Sequence, residues 1–330
     1  MSKDVEKQTD KFTRAALEID VEAEVNRIVE TLRETVNNTM RRKGAVVGIS
    51  GGIDSSVVLA LCVRAFGPER VLGIQLPEME SSAENDPFAE ELVARFGVDT
   101  LTEDITAGLK GLGCYTRRNE AIQRIFPQFD AGWSAKITLP GDLLERATLN
   151  IFSLTVTSPE GEDFTQRLPA AEYLQIVAAS NFKQRLRSNM LYYHAELRNY
   201  AVIGTGNKNE HDLGFFVKYG DGGVDVQPIA HLFKAQVYML AAYLDIPQNI
   251  RSRVPTTDTY PGGSTQEEFF YRIPFDILDT VWYGFERGVS QTEIAQALEL
   301  EAEQVERIIN DVVRKKRTTE YLRMPVVHLD

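Results

Sequence analysis

"VVGISGGIDSSVVLALCVRAF", residues 46–66, places a glycine turn and a carboxylate between two apolar runs. The first run ends at Ile49, Ser50-Gly51-Gly52 follows, and after Asp54 the pair Ser55-Ser56 opens the second run. A short buried strand, a tight turn and a helix account for that order. Glycines let the backbone curl so that several N–H groups converge on one anion, and the helix N-terminus adds partial positive charge. Ser50, Ser55 and Ser56 offer hydroxyls. The lysine of a Walker A loop is missing, and so is the GxGxxG dinucleotide fingerprint. Asp54 instead lies where a phosphate would approach. A carboxylate beside phosphates calls for a cation between them, and Mg²⁺ is the usual one. The plainer alternative is a glycine turn capped by Asp54.

Outward from this turn, Val21, Val25, Ile28, Val29, Leu32 and Val36 recur at helical spacing, predicting a helix over 21–40. A strand at 45–49, a helix at 55–66, a strand at 70–76 and a helix at 84–97 stopped by Gly97 follow. That alternation predicts an α/β fold with a parallel sheet and helical crossovers. Residues from about 110 to 180 break it, and 150–168 alternate in period two around Ser158-Pro159-Glu160-Gly161, the pattern of a β-hairpin. Alternation resumes with a helix at 182–199, a strand at 201–205 and a helix at 231–245; 290–316 read as helical and charged. Residues 1–20 read as a loose tail, and 21–330 as one domain carrying an insertion near 110–180.

The chain has 330 residues and a net charge of −12, which argues against non-specific nucleic-acid binding through a broad basic face. Val57–Val63 is the longest apolar run, far below the roughly 20 residues of a membrane span. No membrane association and no leader peptide are expected. Cys62 and Cys114 are the two cysteines, so no disulfide framework arises and a cytoplasmic location is expected. His194, His211, His231 and His328 show no metal-ligand spacing.

"SGGIDSS" (50–56) resembles the signature of the PP-loop ATP pyrophosphatases, which cleave ATP between the α- and β-phosphates and adenylate a substrate oxygen. "GTGNKNEHDLGFFVKYGDGGVDVQPIAHLFKAQVYMLA" (204–241) resembles the ammonia-dependent NAD synthetase family within that group. "VPTTDTYPGGSTQEEFFYRIPFDILD" (254–279) and "NFKQRLRSNMLY" (181–192) resemble it more loosely. The resemblance implies a doubly wound parallel sheet with helices on both faces, of the adenine nucleotide alpha hydrolase-like type. It implies ATP-dependent amidation of deamido-NAD by ammonia, with release of AMP and pyrophosphate. It also implies a homodimer.

By this resemblance Gly48, Ile49, Ser50, Gly51, Gly52, Ile53, Asp54, Ser55, Thr205, Lys234 and Thr256 would bind ATP. Asp54 and Glu210 would hold Mg²⁺, and Lys234 would offset phosphate charge. Arg185, Lys218 and Asp225 would grip deamido-NAD, with Arg187 a further candidate. Asp221 would receive ammonia and take its proton, although an aspartate among glycines is also an ordinary turn residue. Asp54, Lys234 and Asp221 are the expected catalytic set. Only 49 residues precede Ser50, too few for a glutamine-hydrolysing domain, so free ammonia or ammonia from a separate protein is expected.

Three departures stand out. The segment from 110 to 180 exceeds the family's usual length by ~50 residues, a size at which loops are often functional. Gln75 in "IQLP" stands where the family often has arginine. The family's C-terminal histidine-lysine contact is absent, and Lys315, Lys316 and Arg317 offer cations without the histidine. These leave open a related amide ligase acting on a different carboxylic acid.

Overall fold

The computed structural model describes residues 11–81, 85–139, 143–145, 152–255 and 265–329. Thr256 lies outside the described residues. Asp20 caps the first helix, α1 (Val21–Arg33), by accepting the Ala23 N–H at 3.0 Å. A π turn at Glu34–Thr39 extends it, so the predicted 21–40 helix is one element with a wider last turn. There follow β1 (Ala45–Gly48), α2 (Ile53–Phe66), β2 (Val71–Gln75), α3 (Asn85–Phe96) and β3 (Asp99–Thr102). Gly97 ends α3 at φ +65°, a conformation that costs glycine little.

The middle of the chain contains α4 (Thr106–Gly111), α5 (Cys114–Gln123), β4 (Ser134–Thr138), β5 (Ser153–Thr157), β6 (Asp163–Arg167) and the long α6 (Ala170–Arg198). The hairpin read at 150–168 is the β5–β6 pair, antiparallel with Thr157 opposite Asp163. β4 adds a third strand that sequence reading left out. The helix expected at 182–199 is the second half of α6. Its first half packs with α5, β4 and β5 around Ile122, Phe126, Leu154, Val156 and Ile176.

The remainder is β7 (Ala201–Ile203), α7 (Lys208–Leu213), α8 (Lys234–Tyr243), α9 (Gln248–Arg251), α10 (Phe275–Glu286), α11 (Gln291–Leu298), α12 (Ala302–Thr318) and α13 (Glu320–Arg323). α10 to α12 form their own apolar cluster around Trp282, and Leu17 from the expected tail is buried in it.

The main sheet has the order β3-β2-β1-β7, all parallel. β1, β2 and β7 bury both faces, as parallel strands usually do, while β3 is an exposed edge strand. Ala45, Val47, Val71 and Ile203 face a cluster with α1, α2, α3 and α8. Val46, Leu72, Ile74 and Val202 face α4, α5 and α6. The doubly wound α/β expectation holds. From β1 the chain runs outward through β2 and β3, then returns to add β7 on β1's other side. The crevice above β1 and β7 is therefore the topological switch point, where open α/β sheets bind ligands. Among the described residues no helix is long and apolar enough to cross a membrane.

Candidate functional site

The Ser50–Gly52 turn opens at that crevice. Gly51 takes φ +70°, and Gly52 is the N-cap of α2. Ser50 Oγ accepts the Gly52 N–H at 3.3 Å, and the Ser55 and Ser56 hydroxyls both donate to the Gly52 carbonyl at 2.9 Å. The serines thus hold the shape of the turn. α2 carries its apolar residues on every side and is buried along its length, which fixes the turn against the sheet.

Asp54 lies in the first turn of α2 and meets two distant segments. Its Oδ1 accepts from Asn207 Nδ2 at 3.0 Å, and its Oδ2 accepts from Lys234 Nζ. Asn207 and Glu210 form a capping box at the start of α7: Asn207 Oδ1 accepts the Glu210 N–H at 3.1 Å, and Glu210 Oε2 accepts the Asn207 N–H at 3.2 Å. Asn207 therefore touches both acidic residues. Gln266 Nε2 donates to Glu210 Oε1 at 3.3 Å.

Lys234 is completely buried at the first turn of α8. Its backbone N–H donates to Asn209 Oδ1 at 3.0 Å, and Asn209 in turn donates to the buried Asp279 Oδ1 at 2.5 Å. Asp279 Oδ2 also accepts the Ala235 N–H at 2.9 Å, so α10 caps α8 and fixes where Lys234 emerges. Burial pushes the Asp279 carboxyl up to about 7 against the pull of those donors. Burial disfavours the Lys234 ammonium, but the charges of Asp54 and Glu210 outweigh it and raise its pKa. Burial first, and the Asp54 charge second, raise Glu210 above the ordinary carboxylate range.

These groups share one pocket of about 140 Å³, lined by Ser50, Gly52, Asp54, Thr205, Glu210 and Lys234 among others. Ile53 and Ser55 also line it, whereas Gly48 ends the strand beneath and Ile49 follows it, outside the pocket lining. Arg253 and Gln266 complete the wall and were not anticipated. Asn207 was also missed, although its N-x-x-E spacing to Glu210 is a capping signal visible in the sequence. Among the described residues no three His, Cys, Asp or Glu side chains cluster as a metal cage. Two carboxylates beside a phosphate-sized turn instead match how Mg²⁺ is held, through one or two carboxylates plus substrate phosphates. The residues present fit that ion.

The expected substrate residues form a second group outside this pocket. Arg185 Nε donates to the Lys218 carbonyl at 3.4 Å. Lys218 Nζ donates to the carbonyls of Tyr321 and Met324, both at 2.8 Å, and lies 4.5 Å from the Tyr321 ring centre. Asp221 Oδ1 accepts the Val217 N–H at 2.7 Å, an arrangement that closes the turn. Asp225 is engaged at both oxygens, by the Tyr192 hydroxyl at 3.0 Å and the Val202 N–H at 2.8 Å. Arg187 Nε reaches the Leu76 carbonyl at 3.2 Å. A guanidinium therefore does stand at the end of β2, while Gln75 accepts the Thr102 hydroxyl at 2.9 Å.

At the C-terminus, Lys315 is buried against Asp311 at 2.8 Å and the Phe270 carbonyl at 2.6 Å. Lys316 lies 3.4 Å from Glu286 and 3.7 Å from Asp212. Sequence reasoning also missed a buried ion network under α6. Lys183 Nζ binds Glu78 at 2.8 Å and Glu80 at 2.7 Å, Arg118 binds Glu80 with both amino groups, and the Tyr115 hydroxyl donates to Glu78 at 2.6 Å.

Comparison with known proteins gives a consistent result. The NAD synthase family model matches residues 24–123 and 147–323. The unmatched 124–146 falls inside the segment read as an insertion and contains β4. An NH(3)-dependent NAD(+) synthetase of Mesorhizobium japonicum is 47% identical over 306 residues, covering 93% of this chain and 96% of that protein. Another from Rhizobium rhizogenes is 43% identical over 309 residues, covering 94% and 93%. The solved structure of an NH3-dependent NAD synthetase from Campylobacter jejuni shares the fold with a TM-score of 0.59 at 23% identity, covering 94% of this chain and all of that one. With the phosphate-type turn at the switch point, and with matches spanning most of its length, this chain belongs to the NAD synthase family.

Proposed function

We propose that this chain amidates deamido-NAD with free ammonia, consuming ATP and releasing AMP and pyrophosphate. The observation that carries the reading is the Asp54–Asn207–Glu210 assembly with Lys234 against the Ser50–Gly52 turn, in a chain whose relatives are NH(3)-dependent NAD(+) synthetases. Purified chain given ATP, Mg²⁺, ammonium and deamido-NAD should yield NAD, AMP and pyrophosphate in equal amounts. Absence of NAD at saturating substrates rejects the proposal.

A carboxylate resists ammonia because its carbon is electron-rich and oxide is a poor leaving group. Attack of a carboxylate oxygen on the α-phosphorus breaks the α–β bridge and frees pyrophosphate. The acyl carbon then carries AMP, which ammonia displaces. In the first step two anions must meet. The turn's N–H groups and the Lys234 ammonium hold the departing pyrophosphate, acting through fixed charge. Asp54 and Glu210 would hold Mg²⁺, which supplies further charge neutralisation at the phosphates. Asp279 and Asn209 keep the lysine aimed, so no reorganisation is needed during reaction. In the second step the attacking nitrogen must lose a proton. Asp221 is our proposed acceptor, through the carboxylate oxygen that does not bind the Val217 N–H.

Thr205 and Thr256 are proposed ATP contacts. Arg185, Lys218 and Asp225 are proposed for deamido-NAD; since both Asp225 oxygens are engaged, its contribution is to fix Tyr192 against β7. We also propose a cytoplasmic homodimer in which α6 lies at the contact. Exposed Tyr193 and Leu197, one turn apart on α6, support that placement. Residues 21–330 are proposed as one catalytic domain, elaborated by the β4–β6 sheet.

A further inference from the structure

A second charged concavity lies at the other end of the main sheet. Arg41, Arg42, Lys43, Arg70 and Arg198, with Tyr200, line a hollow of about 730 Å³. Lys43 precedes β1, Arg70 precedes β2 and Arg198 precedes β7, so the hollow opens at the strands' N-terminal ends. The Ser50–Gly52 turn lies past their C-terminal ends, about 13 Å away along β1 at the usual strand rise.

Five cations meet here in a chain of net charge −12. Among the described residues none of the five forms an ion pair. Their hydrogen-bond partners are neutral. Arg70 donates to the Lys43 carbonyl at 2.5 Å and Asn37 Oδ1 at 2.6 Å. Arg42 donates to Asn199 Oδ1 at 2.6 Å, and Arg198 to the His194 carbonyl at 3.3 Å.

Two helix C-termini, that of α6 and that of the π turn at Thr39, end beside the hollow and attract cations. Each helix end carries roughly half a negative charge, so together they offset about one of the five positive charges. The excess remains. Arg41 also holds φ +55°, a backbone state unusual for a residue with a large side chain. Glycine would fit that position without strain, yet the chain keeps a cation there.

We propose that this hollow binds the polyphosphate group of a small molecule. Four of the five cations are arginines, whose planar forks match phosphate oxygens in pairs. The volume falls in the range of small-molecule sites. Three short strand-entry segments border this solvent-open hollow, and Arg41, Arg42 and Lys43 are exposed in it.

The test is calorimetric titration of the full chain with inorganic tripolyphosphate in Mg²⁺-containing buffer, with ADP as a second arm. Wild type should take up two anions per chain, one at each end of the sheet. The double variant Arg41→Gly/Arg42→Ser should take up one, with affinity at the lost site reduced on the order of 100-fold. Glycine suits the backbone at 41, so the variant should melt as wild type does and still make NAD. Tighter uptake of ADP than of tripolyphosphate assigns a nucleotide, and equal uptake a bare phosphate chain; both support the proposal. One anion per wild-type chain, or two per variant chain, overturns it. So does a glutamate-rich peptide that binds wild type as tightly as tripolyphosphate and fails to bind the variant, since the surface would then suit an acidic protein.

Discussion

Glu210→Gln separates a metal-holding role from a structural one. The substituted amide keeps an oxygen to accept the Asn207 N–H, now 3.2 Å from Oε2, and leaves the Glu210 N–H to Asn207 Oδ1 at 3.1 Å untouched. The capping box therefore survives. What disappears is the group that would become a carboxylate ligand when Mg²⁺ binds; without the ion, burial and then the Asp54 charge favour its neutral form. The melting temperature should stay the same or rise. Activity should respond in the opposite direction. Losing one charge-assisted ligand is worth about 1.5–3 kcal/mol, roughly 10- to 150-fold in Mg²⁺ affinity. The assay is AMP formation titrated with Mg²⁺, alongside thermal unfolding. Unchanged Mg²⁺ half-saturation in a folded Glu210→Gln chain would refute the assignment. A large drop in melting temperature would point to a purely structural carboxylate.

Lys183→Met leaves Glu78 and Glu80 facing each other without their shared ammonium, and breaking a buried pair in this way costs about 3–5 kcal/mol, read by denaturant unfolding. Burial alone would raise Glu80, but the hydrogen bonds and charge of Arg118, with the charge of Lys183, bring it below its ordinary value. A carboxyl depressed in the folded state contributes stability above about pH 4.5 that is lost as pH falls through its folded pKa. Acid unfolding of Glu80→Gln should accordingly show a flatter slope below that pH than wild type. Asp225→Ala orphans the buried Val202 N–H, a loss of about 1–3 kcal/mol in stability together with a raised KM for deamido-NAD. An undiminished melting temperature would show that Asp225 does not brace β7.

The residues that announce the site are those whose chemistry depends on local order. Ser50–Gly52 with Asp54 is contiguous, so the strand, turn and helix could be read together. Glu210 and Lys234 came through motif likeness, and both line the expected pocket. Asn207, Asn209 and Asp279 did not stand out, because their value comes from partners far along the chain. β3 escaped notice because its sequence, Asp-Thr-Leu-Thr, is largely exposed at the sheet edge and carries no apolar signal. The first half of α6 escaped for another reason. It joins α5 and the small antiparallel sheet in one cluster through Tyr173 and Ile176, while Leu174 beside them is exposed, so its apolar residues do not line up as one clean stripe. β4 lies fourteen residues before its partner β5, beyond the range at which hairpin signals operate.

Asp54 finds its two partners 153 and 180 positions further along the chain. During synthesis the turn at Ser50–Gly52 therefore leaves the ribosome long before Asn207 and Lys234 exist to meet it. A nascent chain that stops short of α8 carries the signature loop but lacks the lysine that answers Asp54. Retention on immobilised nucleotide should thus begin only once translation has passed α8, making ligand capture a timer for the completion of the fold.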